Sequence, residues 1–386
     1  MKKSYLYYLL LLMPFIDVLT SIASYNNVFS IGIIVRIILI SYSLYYIIKN
    51  KLLDKRLLII SFIYVLILFL YYLFISHDNL IVEFSNLLKI FYLPIILLLF
   101  INNNDRDIND SLLTKILLIY LLLYLLPYPF KLGHNINEIY PNKDLYLSYF
   151  YYGNEIVNVF IILIIKVILY LLKNKSKYIY LYLVLIIFTT ILLSTKTFII
   201  SMIIFIIYLI FKYFNKIFSK YKKVFLLGVI IFGCGLIYII PKTSLYNNII
   251  TTLDYYHINN ISELITINNI DNVIYSKRLS FVSDLNNQYI NSSYMDILMG
   301  IGRTDFIKNT EIDIFDIFYS IGIIGVIVYF IWMIYVLKRC KLNKDTKFIY
   351  ILLFIISLFS GHVLVSPMVT TYIGVLGSRY LNENMD

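Results

Sequence analysis

The chain has 386 residues, of which 61% are hydrophobic and 14% charged, and it carries a net charge of +11. Soluble domains hold about 45–50% apolar and about 25% charged residues, so this composition excludes a soluble globular enzyme and describes an integral membrane protein. The two cysteines, Cys234 in an apolar run and Cys340 in a basic stretch, fall at different expected membrane depths and exclude a disulfide framework.

A spanning helix needs roughly 20 mostly apolar residues to cross the hydrocarbon. Windows of that kind predict spans over 5–24, 28–48, 57–75, 84–101, 112–128, 156–172, 178–193, 198–214 and 224–240. The first, headed by Lys2 and Lys3, mimics a signal peptide, but the Asp17 within it and the alternation of the later loops read it as an uncleaved span. A polar segment over 242–315 then interrupts the pattern, and spans over 317–337, 348–364 and 368–381 close the chain. The expected fold class is all-α, a polytopic membrane helical bundle of about 12 transmembrane helices with one large extracytoplasmic loop. Its parts are N-terminal helices in 1–241, the loop in 242–315 and C-terminal helices in 316–386.

Cations set the expected orientation, because Lys and Arg are retained on the cytoplasmic side of short loops. Alternate short gaps hold 21 cations, in clusters such as Lys49, Lys51, Lys55, Arg56 and Lys338, Arg339, Lys341, whereas the opposite gaps hold only Lys131, Lys143 and Lys196. This places the N-terminus in the cytoplasm and the large loop outside. Basic loops lying on anionic lipid account for the net charge and call for no nucleic acid.

Ionisable groups at spanning depth are expensive, on the order of 3 kcal/mol each, so each needs a partner or a task. Asp17 and Arg36 are read either as a structural ion pair or with Arg36 and Lys89 lining a polar cavity for an anionic headgroup, while Lys166 is expected to snorkel to the inner interface. The turn Ser194-Thr195-Lys196-Thr197 holds one cation among hydroxyls, which fits either a hairpin cap or a phosphate contact. The large loop offers Lys277 and Arg278, then Gly300-Ile301-Gly302-Arg303, then the acids Glu311, Asp313 and Asp316 running into an apolar helix. With a helix starting near Asp313, that residue and Asp316 share a face, and acids at a helix N-terminus are favoured by the dipole. Three carboxylates in six residues exceed what capping requires. His362, between Gly361 and an apolar run, suits a proton shuttle, or else a polar contact within the bundle. No His or Cys pair has metal-ligand spacing, and neither a phosphate-binding glycine loop nor a nucleophile elbow is present.

The Ser-Thr-Lys-Thr turn, the late loop with its Gly-Ile-Gly, Glu311-Ile-Asp-Ile-Phe-Asp316 ahead of Gly322-Ile-Ile-Gly325, and Gly361-His362-Val363-Leu364 before Ser366-Pro367 together resemble the O-antigen polymerase and O-antigen ligase superfamily of bacterial membrane glycosyltransferases. Ligases of that superfamily carry a histidine where this chain has Glu311, so the resemblance favours a polymerase-like member, with a ligase as the alternative. Lys196 stands where the family usually has arginine, which keeps the charge and loses bidentate phosphate recognition. The resemblance implies a glycan donor on polyprenyl diphosphate, catalysis without metal or cofactor, and a chain-length regulator and a flippase as partners. Displacement at an anomeric carbon needs a base on the attacking hydroxyl and positive charge on the departing diphosphate. Glu311, Asp313 and His362 are the candidate bases, Asp316 a further acid, and Arg278, Lys196, Arg303 and Arg36 the candidate diphosphate ligands. From another class the alternative is a lipid-linked oligosaccharide flippase. Such transporters are usually built on internal repeats around a midplane site, and no repeat is visible.

Overall fold

The computed structural model describes residues 3–26, 28, 30–76, 80–103, 105–135, 146–150, 153–193, 195–213, 246, 278–302 and 310–383. The expected span over 224–240, most of the loop over 242–315, Lys277 and Arg303 lie outside the described residues.

Helices α1 (Tyr5–Tyr25), α2 (Ile31–Lys49), α3 (Lys55–Tyr71), α4 (Leu80–Asn102), α5 (Asp110–Leu125), α6 (Gly153–Lys173) and α7 (Ile179–Leu193) form the first part of the chain, followed by α8 (Lys196–Tyr213). Two short helices, α9 (Arg278–Ile290) and α10 (Tyr294–Met299), precede the long α11 (Asp313–Leu337), and α12 (Lys344–Phe359), α13 (Pro367–Leu376) and α14 (Arg379–Glu383) follow. The only strands among the described residues are β1 (His134–Asn135) and β2 (Tyr146–Ser148), paired antiparallel. Eight helices among the described residues are long and apolar enough to cross a membrane, and the protein is a polytopic helical membrane protein.

Polar side chains mark several helix starts. The Ser4 Oγ accepts the Tyr7 N–H at 3.2 Å, the Asn109 Oδ1 that of Leu112 at 3.1 Å, and the Asn343 Oδ1 that of Thr346 at 2.8 Å. Each supplies an acceptor for an N–H that has no partner within its own helix. Burial then sorts the helices into inner and outer. In α6 and α4, 83% and 72% of the most apolar window is buried, against 28% in α2 and 17% in α8. The first two are the axis of the bundle, and the latter two face lipid. Helix α13 packs against both α4 and α6.

Two expectations change. The predicted last span over 368–381 is the ten-residue α13, which ends at Gly377. At 1.5 Å per residue it covers roughly half of the hydrocarbon thickness, so it is a buried half-span and not a crossing helix. Lys166 does not snorkel. Its side chain is fully buried, with Nζ 3.4 Å from an Asp110 carboxylate oxygen. The third predicted span, over 57–75, is present as an apolar helix of spanning length over Lys55–Phe74, whose end passes from α-geometry at Tyr71 into a π-turn over Tyr72–Ser76.

The long α11 is broken. At Gly322 the backbone takes φ 62° and ψ −173°, and a Cβ there would lie 2.3 Å from the Gly300 nitrogen and 2.6 Å from the Leu298 carbonyl oxygen. Only glycine combines that φ with so close an approach. The chain after α10 thus lies directly on the break, and the Ile301 N–H donates to the Tyr319 carbonyl at 3.0 Å. Irregular backbone at membrane depth is tolerated where protein or a polar cavity covers it. Here both conditions are met, since Ser320 lines the cavity described next.

Candidate functional site

A cavity of about 950 Å³ opens between α1, α2, α4, the start of α6, α11 and the turn before α13. Its polar wall includes Asp17, Arg36, Lys89, Glu155, Asp316 and His362, and its apolar wall includes Phe69, Leu80 and Phe84. A second, smaller apolar hollow on α3 and α4 shares those three apolar residues.

The polar wall is built by the turn after α12. Gly361 and His362 both have left-handed backbone, φ 57° and 58°. A Cβ on Gly361 would lie 2.3 Å from the Glu311 carbonyl oxygen, so the segment ahead of α11 presses directly on this turn. Asp313 holds it in place. One carboxylate oxygen accepts the His362 N–H at 2.6 Å, and the other accepts the Val363 and Leu364 N–H groups at 2.8 Å each. Three backbone donors on one buried carboxylate form an anion-binding concavity turned inward. Asp313 is fully buried and is not part of the cavity wall.

The other acids differ. One oxygen of Asp316 takes the Thr310 N–H at 2.8 Å and the Thr310 hydroxyl at 2.6 Å, while the residue itself lines the cavity beside His362. Glu311, another left-handed residue at φ 57°, pairs with Arg278 through contacts of 2.9 and 3.2 Å. The Arg278 guanidinium also donates to the Phe359 carbonyl oxygen at 3.1 Å. Arg278 and Glu311 therefore form a latch between α9, the head of α11 and the end of α12.

On the far wall Arg36 donates to Asp17 at 2.6 Å, and the second Asp17 oxygen accepts the Tyr120 hydroxyl. Lys196 is half-buried at the head of α8 and does not line the cavity, but the neighbouring Thr197 hydroxyl donates to the Ser360 hydroxyl at 3.0 Å. The Ser-Thr-Lys-Thr turn thus meets the Gly361-His362 turn. Asp296, on the short α10 outside the spans, accepts from the hydroxyl of Tyr71 at the end of α3 and so docks α10 on α3. Burial works to raise the Asp296 carboxyl, but the bonds from Tyr71 and Ser293 outweigh it and hold the group below its ordinary value.

With this geometry in place, the comparison with protein families adds a likeness for the C-terminal part. Residues 254–385 match the family model described as O-antigen ligase like membrane protein. This supports the resemblance to the O-antigen ligase and polymerase superfamily over that region. Such a family implies a multi-pass membrane enzyme of surface-polysaccharide assembly. Neither the curated proteins nor the solved structures compared contain a match.

The region that matches this family model contains Arg278, Glu311, Asp313, Asp316 and His362, which the fold gathers around one turn. The cavity, however, is closed by side chains from outside that region, namely Asp17, Arg36, Lys89 and Glu155. Glu155 escaped the sequence reading because it stands at the very start of an apolar span, where an acid reads as an ordinary helix-terminal residue. Of the residues singled out in sequence, Asp17, Arg36, Lys89, Asp316 and His362 line the cavity, Arg278, Glu311 and Asp313 support the turn that carries His362, and Lys196 stands at the head of α8, outside the cavity wall.

Proposed function

We propose that this protein is a polymerase of a bacterial surface polysaccharide, which transfers a glycan from a polyprenyl diphosphate to a sugar hydroxyl of another lipid-linked repeat unit. The observation that carries the reading is the cavity of about 950 Å³ that sets Arg36, Lys89, Asp316 and His362 against an apolar wall of Phe69, Leu80 and Phe84. An anionic headgroup on a lipid tail matches that division of surface. Arg36 and Lys89 face the diphosphate, where positive charge stabilises the leaving group. His362 takes the proton of the attacking hydroxyl, whose oxygen forms the new bond to the anomeric carbon. As the old carbon–oxygen bond breaks, its electron pair leaves with the diphosphate. Asp316 lies beside His362 and orients it or the acceptor sugar.

A neutral or weakly basic group suits the base role better than Glu311, whose carboxylate is already paired with Arg278. That pair also supports polymerase over ligase, because it occupies the position at which ligases of the superfamily carry histidine. Asp313, with three backbone N–H groups on its carboxylate, acts through the turn and not on substrate.

The test is in vitro polymerisation in nanodiscs with a lipid-diphosphate oligosaccharide. A ladder of longer lipid-linked glycans that vanishes in Arg36→Ala and His362→Ala supports the proposal. Transfer only to a lipid A core acceptor would establish a ligase instead. Movement of the donor between leaflets without transfer to any acceptor would establish a flippase.

A further inference from the structure

We infer that Asp17 is a positioning residue that fixes the direction in which Arg36 presents its guanidinium to the diphosphate, and that the hydroxyls of Tyr120 and Tyr372 fix Asp17 in turn. The inference rests on the headgroup reading of the cavity given above.

An arginine side chain has about 2 kcal/mol of rotamer entropy, and at membrane depth its charge draws it towards the interface. Arg36 does not follow that tendency. Its side chain is 14% exposed and meets Asp17, 2% exposed, at 2.6 Å. Asp17 is itself held from two sides. One carboxylate oxygen takes the arginine and the other takes the Tyr120 hydroxyl, which fixes the plane of the carboxylate. The Tyr120 hydroxyl accepts from the Tyr372 hydroxyl at 3.1 Å. The Tyr120 ring packs edge-on against Tyr372 and Phe160, with centroids 5.9 and 6.3 Å apart, so the phenol cannot swing away.

Four helices thus converge on one guanidinium: α1 through Asp17, α2 through Arg36, α5 through Tyr120 and α13 through Tyr372. Helix α13 begins at Pro367, five residues after His362, and Pro367 and Met368 line the same cavity. The chain that aims Arg36 therefore ends on the helix that follows the His362 turn. A negative partner weakens the pull of Arg36 on an anion, so what Asp17 contributes to binding is orientation and depth, not charge.

The experiment measures donor KM and kcat for transfer in nanodiscs, and in parallel the binding of a sugar-free polyprenyl diphosphate. Asp17→Asn removes the carboxylate charge, and Tyr120→Phe removes the hydroxyl that bonds Asp17 and Tyr372 while leaving the ion pair. Expected are a donor KM and a diphosphate Kd raised about tenfold by Asp17→Asn and about threefold by Tyr120→Phe, the scale of one or part of one charge-assisted hydrogen bond. In both variants kcat stays within about twofold, and neither change alters binding further in an Arg36→Ala background, as coupled residues require. If both variants lower kcat at unchanged KM and Kd, or shift Kd equally with and without Arg36, the network is structural only and the inference is overturned. Should Asp17→Asn fail to fold, Tyr120→Phe decides alone. A wild-type protein that binds the diphosphate in an Asp17-dependent way but transfers no glycan would sink the polymerase reading and leave the positioning role standing.

Discussion

Asp313 and His362 are joined through the backbone, with an Asp313 carboxylate oxygen 2.6 Å from the His362 nitrogen, and not through the imidazole. An acid at the head of one helix thereby sets the direction of a histidine 49 residues later. The carboxylate has no exposed surface, and its three N–H donors each belong to the class of hydrogen bonds to a charged group, about 1.5–3 kcal/mol apiece.

Asp313→Ala is therefore expected to cost several kcal/mol and to abolish transfer, because three buried N–H groups lose their acceptor. Asp313→Asn keeps one acceptor oxygen and is expected to lie between. Thermal unfolding in detergent, followed by tryptophan fluorescence, measures the first effect. Equal stability of Asp313→Ala and wild type would refute the anchoring role.

Gly361→Ala is expected to inactivate. Its Cβ would sit 2.3 Å from the Glu311 carbonyl oxygen at a φ of 57°, so the turn must shift away from the head of α11. Left-handed backbone alone costs an L-residue about 1–2 kcal/mol, and the clash adds to it. The outcome to measure is loss of polymer with the protein still folded, since the displacement is confined to the turn.

For the Arg278–Glu311 latch the informative comparison is between conservative and drastic changes. The Arg278 side chain is 13% exposed and that of Glu311 36%, so the pair is partly screened and worth about 1 kcal/mol or less by itself. Arg278→Ala also removes the contact to the Phe359 carbonyl and should reduce kcat more than Glu311→Gln does. Arg278→Lys should restore part of it. A pure rise in donor KM in Arg278→Ala would instead make Arg278 a direct diphosphate ligand.

Lys166 and Asp110 give a stability prediction away from the cavity. The Lys166 side chain is fully buried and its nearest acid oxygen is 3.4 Å away. Breaking a buried pair from one side costs about 3–5 kcal/mol, whereas replacing both members by apolar groups of similar size is near neutral. Asp110→Ala should destabilise strongly, and the double change Lys166→Met with Asp110→Leu should recover most of the loss. Additive losses in thermal unfolding would contradict the pairing.

The sequence determined what composition and periodicity can carry. Apolar windows of spanning length dictate a helical membrane protein, because backbone polar groups in hydrocarbon must be satisfied within each segment. The order of motifs from the Ser194-Thr195-Lys196-Thr197 turn to Ser366-Pro367 was enough to show a resemblance, and the start of α11 at Asp313 follows from an acid heading an apolar run. The true length of α13 was not legible, since a buried half-span and a crossing helix share the same apolar composition. Lys166 was misread for a related reason: its partner Asp110 lies 56 residues earlier, and only packing brings them together.

Tertiary structure alone decided which candidates share a cavity. Arg36 and His362 are 326 positions apart in the chain, yet both line one cavity because α2 and α13, the helix that follows the His362 turn, both pack against α4. The three acids Glu311, Asp313 and Asp316 look equivalent in sequence and are not. One is latched to an arginine, one is enclosed by backbone donors, and one lines the cavity. Spacing fixes which residues can share a helix face, but the partner each side chain meets, and hence its chemistry, depends on neighbours that only the folded bundle supplies.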